Sequence, residues 1–116
     1  MFRRLVERLN ESDETRLAEE TRTWAGTIEG TVRIVDAPVR QPVRLAGVIR
    51  RMTVLPMEGK EALQALISDG TGEATIVFMG RRGIGGLTLG KRVVVEGVLG
   101  EHRGDVRMVN PRLEFA

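Results

Sequence analysis

The sequence predicts an all-β fold, a five-stranded Greek-key barrel preceded by a short N-terminal helical segment, and three observations point there. Fourteen glycines against 3% aromatic residues call for many tight turns, because glycine reaches the positive-φ conformations that turns need. From Pro42 onward, short β-rich runs alternate with turn residues, the pattern of a barrel or sandwich. At 116 residues the chain has room for one domain, and its apolar residues, 41% of the total, must share a single core.

Residues 1–24 read as a charged helical arm, with five arginines against six acids. Phe2, Leu5, Val6 and Leu9 recur at i, i+3, i+4 and i+7, one face of a helix. Ser12 or Asp13 offers a cap for a second helical stretch from Glu14 to Thr23. That stretch carries mainly Leu17 and Ala18 as apolar residues, so the expectation is a broken arm whose second half is weakly held. Residues 25–41 mix turn residues with one β-branched run, Thr31 to Val35, and read as a connector laid over the barrel.

The barrel is expected over residues 42–116. Its first strand runs Val43 to Leu55 and is interrupted by Gly47, where a missing side chain permits a bulge and a bend. A loop from Pro56 to Ala62 leads to the second strand, Leu63 to Ser68. Asp69-Gly70-Thr71-Gly72 turns the chain into the third strand, Ala74 to Met79, where Ala74, Ile76 and Phe78 share one face and Phe78 is expected in the core. A glycine-rich link precedes strand four, Arg92 to Leu99, with Gly97 inside it. Residues Gly100 to Asp105 then turn into strand five, Val106 to Val109, which Asn110-Pro111 closes.

This order is the strand order of the OB barrel. The run Leu66 to Phe78, with its Asp69-Gly70-Thr71-Gly72 turn, and the run Leu89 to Gly97 resemble the tRNA-anticodon-binding type of OB domain. The ending Val106 to Pro111 is similar to the close of the OB wedge domain in RecG-type branch-migration helicases. The chain also resembles stand-alone OB-fold nucleic-acid-binding proteins of high-GC Gram-positive bacteria, which carry a comparable charged N-terminal helix. The resemblance covers residues 42–116 and implies nucleic acid held across strands two and three, flanked by the loops between strands one and two and strands four and five.

On that basis the candidate nucleic-acid-binding residues are Arg50 and Arg51 on the bent first strand and Lys60 in the following loop. Arg81 and Arg82 follow strand three, His102 and Arg103 lie in the last hairpin turn, and Arg107 is on strand five. Their expected role is electrostatic positioning on phosphates, the interaction that dominates sequence-independent binding. The positive excess, thirteen Lys/Arg against ten acids, lies in residues 25–116, which suits such a role. With only Phe2, Trp24, Phe78 and Phe115 as aromatics and no tyrosine, a tight base-stacking single-strand binder is not expected. The favoured partner is therefore single-stranded or branched DNA, or structured RNA, bound weakly through its backbone or shape. The rival reading is a protein-interaction or homo-oligomerising OB domain that docks through the Phe2, Leu5, Val6 and Leu9 stripe.

Other chemistry finds little support. Gly85 to Lys91 fits Gly-x-x-x-x-Gly-Lys, but Arg92 stands where a magnesium-binding Ser or Thr is needed, and a strand follows where the motif requires a helix. Arg103-Gly104-Asp105 matches an adhesion tripeptide, yet is good hairpin chemistry. His102 is the only histidine, and Ser12 and Ser68 are the only serines, so no metal set or nucleophilic triad assembles and neither an enzyme nor a cofactor is expected. The chain has no cysteine, which is compatible with a reducing compartment, and no apolar run resembles a signal peptide or membrane span. The expected setting is cytoplasmic.

Overall fold

The computed structural model describes the backbone of residues 2–116 and side chains from residue 13 onward. One helix, α1, spans Phe2–Gly26. Six strands follow: β1 Pro42–Met57, β2 Lys60–Ser68, β3 Glu73–Met79, β4 Arg92–His102, β5 Asp105–Val109 and β6 Arg112–Phe115. β1 pairs antiparallel with β2, β2 with β3, and β4 with β5, while β3 and β5 run parallel. β1 also pairs with β4, which closes the ring β1–β2–β3–β5–β4 into the five-stranded OB barrel.

Closure depends on β1 serving two partners. Residues 42–48 pair with β4 and residues 48–57 with β2, so Val48 faces both Arg92 and Ser68. Gly47 sits at this crossover, where an added Cβ would lie 3.1 Å from the Ser68 carbonyl oxygen and 3.2 Å from the Ile67 Cβ. The glycine therefore serves close approach of two strands, and the bulge expected there lies elsewhere. Ile49 pairs with Ile67 and Arg51 with Leu66, which leaves Arg50 as the extra, unpaired residue.

Alternation fills the barrel. Leu45, Ile49, Leu63, Ala65, Ile67, Ala74, Ile76, Phe78, Val93, Val95, Leu99 and Met108 all point into one core. Phe78 is among them, as expected, and the link between β3 and β4 covers one end through buried Leu87 and partly buried Ile84. The other end is sealed by the connector, whose short 3₁₀ turn at Ile34–Asp36 inserts Ile34 into the core.

Asp69 ties that seal to the β2–β3 turn. It is only 3% exposed, and its Oδ1 accepts hydrogen bonds from the Thr71 amide at 2.9 Å, the Thr71 hydroxyl at 2.6 Å and the Gly72 amide at 3.1 Å. Its Oδ2 accepts from the Ile34 amide at 2.9 Å. A buried carboxylate is tolerable only when so fully hydrogen-bonded.

Three further expectations change. The helix does not break: Ser12 and Asp13 lie inside α1, and small residues hold its second half, with Ala25 buried against Ala46 and Val94 beside Trp24 and Ile28. Ala18 packs at the β2–β3 turn, where a Cβ on Gly70 would collide with the Ala18 carbonyl oxygen. The expected loop at Pro56–Ala62 is a two-residue turn, Glu58-Gly59, because β1 runs on to Met57 and β2 begins at Lys60. Both turn residues have positive φ, 51° and 76°, as a tight hairpin of this twist requires. Finally, the chain continues past Asn110-Pro111 into β6, which pairs antiparallel with β4. Among the described residues no helix is long and apolar enough to cross a membrane.

Candidate functional site

Because Leu63, Ala65 and Ile67 point inward, Gln64, Leu66 and Ser68 point outward, and the same parity puts Thr75 outward on β3. On β5, Met108 is in the core and Arg107 points out. The register then aligns one rank across four strands: Arg51 opposite Leu66, Leu66 opposite Thr75, and Thr75 beside Arg107. At about 4.8 Å per strand, three intervals put the two arginines about 14 Å apart along the curved barrel wall. The rank ends at Gly100 of β4, opposite Arg107, which has no side chain to close the face.

Two shallow grooves lie along this face. One, of about 250 Å³, is lined by Arg50, Arg51, Leu66, Ser68 and Glu73. Its neighbour, of about 210 Å³, is lined by Arg51, Thr53, Leu55, Gln64, Leu66 and Thr75, so the two share Arg51 and Leu66. Arg50 reaches the first groove because it is the bulge residue, released from pairing and free to aim its side chain away from the strand's alternation. Among the described residues no acid lies within ion-pairing distance of Arg50, Arg51 or Arg107, which leaves their donors open to an anionic ligand.

The remaining candidates lie elsewhere. Lys60 opposes Met57 at the mouth of the β1–β2 turn, six residues from Leu66 and so about 20 Å along the strand. Arg81 and Arg82 leave β3 at the same end, where the Gly80 amide donates to the Glu61 carbonyl at 2.7 Å and Arg82 pairs with the Glu61 carboxylate at 3.2 Å. His102 closes the β4–β5 hairpin opposite Asp105, and Arg103 occupies its tip with φ 52°. The eight residues thus form three groups: Arg50, Arg51 and Arg107 on the face; Lys60, Arg81 and Arg82 at one end; His102 and Arg103 at the opposite hairpin.

Among the described residues no aromatic ring lies on the face. Phe78 is in the core, Trp24 stacks under the Arg92 guanidinium at 4.9 Å, and Phe115 lies 5.8 Å from the Lys91 ammonium and packs on Gly86. An ion cluster of Arg44, Glu96 and Glu114 also lies away from it, on β1, β4 and β6. There Arg44 hydrogen-bonds Glu114 at 3.2 Å and sits 3.7 Å from Glu96. The hydrogen bond from Arg44, followed by its charge, holds the Glu114 carboxyl below the usual carboxylate range. Among the described residues no group of acidic or histidine side chains is arranged to hold a metal ion.

Comparison with known proteins supports the fold. No family model matches the chain, and no curated protein does. Among solved structures it is similar to the OB domain of Ta0387 from Thermoplasma acidophilum, determined in solution by NMR. The two share 20% sequence identity with a TM-score of 0.56, over 74% of this chain and 86% of that one.

Proposed function

We propose that this protein is a non-catalytic nucleic-acid-binding OB domain that holds the sugar-phosphate backbone across the outer face of β1, β2, β3 and β5. The observation that carries the reading is the rank Arg51, Leu66, Thr75, Arg107, with Arg50 on the adjoining groove. Arginines on strands about 14 Å apart along the barrel wall suit phosphates about two nucleotides apart on one strand, and leucine and threonine between them give a sugar or base a weakly polar floor. Stacking on this face falls to the arginine planes, so binding is electrostatic and tolerant of sequence. That profile fits a reader of single strands or of branched and structured backbones, in keeping with the resemblance to anticodon-binding and helicase-wedge OB domains.

Fluorescence anisotropy with labelled single-stranded DNA, single-stranded RNA and a branched DNA junction tests it. The expected result is binding to at least one probe at low salt that weakens steeply as salt rises. Absence of binding to all three at low salt contradicts the proposal and leaves the protein-interaction reading.

A further inference from the structure

Arg50 borders more than the sheet face. A second cleft, of about 400 Å³, opens between α1 and the barrel, and Arg50 lines it together with Leu17, Glu20, Leu89 and Arg92. Two backbone hydrogen bonds fix its floor: the Gly90 amide donates to the Ile49 carbonyl at 2.8 Å, and the Ile49 amide to the Lys91 carbonyl at 3.0 Å. These hold Leu89 to Arg92 alongside the bulge, so that Arg50 and Arg92 face one space from adjacent segments.

The cleft wall combines exposed apolar side chains with cations. Leu17 is 54% and Leu89 66% exposed, two large apolar side chains left to water across a cleft that carries two arginines against one glutamate. Arg92 is held in place by stacking on Trp24 at 4.9 Å. Apolar walls with cations at the rim match a nucleotide, which presents an apolar sugar and base edge together with a phosphate. The cleft also shares Arg50 with the proposed phosphate face, so a strand lying on that face passes directly into it.

We infer that the cleft between α1 and the barrel is a second nucleic-acid subsite, which receives the strand where it leaves the sheet face at Arg50. The inference rests on the proposed function of that face. The N-terminal helix is then one wall of the binding surface, and Glu20 is the residue that weakens it.

A charge swap on the helix tests this without touching the barrel. Glu20 lines the cleft, whereas Glu19 beside it is exposed and outside it. Glu20→Lys and Glu19→Lys change the net charge equally, so general attraction affects both alike. With a labelled oligothymidylate of about 16 nucleotides, Glu20→Lys is expected to tighten binding several-fold more than Glu19→Lys, and to steepen the slope of log K against log salt by about 0.7, one additional phosphate contact. Trp24, the single tryptophan, reports on the same cleft through Arg92, and its emission is expected to change with the anisotropy midpoint in the unmodified protein. Equal effects of the two swaps, or an unchanged Trp24 signal while anisotropy shows binding, overturn the subsite and leave the exposed leucines to a protein partner. Absence of binding by every variant to this probe overturns the subsite, and absence of binding to the RNA and the branched junction too overturns the sheet-face reading as well.

Discussion

Two clusters of basic residues flank the β2–β3 ribbon, and they differ in how the fold holds them. Lys60, Arg81 and Arg82 lie on or next to turns at one end, and Arg82 is already engaged with Glu61. Arg51 and Arg107 stand on paired strands, locked in one rank by antiparallel register on one side and by the parallel β3–β5 pairing on the other. A guanidinium on a paired strand begins with its backbone fixed, so ligand binding has less disorder to remove than at a turn. An exposed pair such as Arg82 with Glu61 contributes little to stability, yet a phosphate must displace it. The same residue type therefore carries different weight in the two places.

The largest effect is expected from a change that spares both clusters. Gly70→Ala places a methyl group against the Ala18 carbonyl at a residue with φ 84°, and is expected to cost about 2 kcal/mol of stability in urea unfolding. Because the rank is built on strands, the folded fraction should keep the phosphate contacts of the sheet face, and any loss of affinity reports on the α1 wall beside Ala18. Next comes Arg51→Ala with Arg107→Ala, expected to weaken single-strand binding by about tenfold or more at low salt, measured by anisotropy. A smaller loss of about threefold is expected for Arg50→Ala, since the bulge residue meets the strand at the edge of the rank. A weakening by Arg50→Ala that exceeds that of the double variant would place the centre of binding at the bulge.

The smallest effect concerns the far side of the barrel and serves as a control. Since the Arg44 hydrogen bond lowers the Glu114 pKa below its ordinary 4.5, the unfolded chain takes up this proton at higher pH than the folded one. The stabilisation is complete above the ordinary value and is lost as pH falls through the lowered folded value. Thermal unfolding between pH 7 and pH 3 should therefore show a slightly shallower acid decline for Glu114→Gln, with nucleic-acid affinity at pH 7 unchanged. A reduced affinity would link the Arg44 cluster to binding.

The barrel is largely legible in the sequence because turns and alternation are local signals. Asp69-Gly70-Thr71-Gly72 locates the β2–β3 turn, and the parity of Ala74, Ile76 and Phe78 names the core face of β3 correctly. β6 escapes such a reading because four residues, Arg112–Phe115, after a proline carry too little pattern, and only pairing with β4 makes them a strand. The unbroken helix escapes it because what holds its second half is tertiary: Ala18 and Ala25 are useful through the surfaces they fit, which composition does not reveal.

The candidate site is legible in residue type and not in arrangement. Nothing local marks Arg50 as the bulge, since that follows from the pairing of Ile49 with Ile67 and Arg51 with Leu66, and Gly47 offers a more obvious place for it. Arg107 joins Arg51 only through a parallel pairing between strands about 30 residues apart in sequence. The helix wall is hidden for the same reason, because Leu17, Leu89 and Arg92 meet only in the folded chain.

The most direct test compares the salt dependence of single-strand binding in three proteins: unmodified, Arg51→Ala with Arg107→Ala, and Arg81→Ala with Arg82→Ala. Removing one phosphate-binding cation should reduce the slope of log K against log salt by about 0.7. The rank predicts a reduction of about 1.4 for the first pair and a much smaller one for the second. Equal reductions, or a larger one for Arg81 and Arg82, would contradict the assignment of phosphate binding to the sheet face.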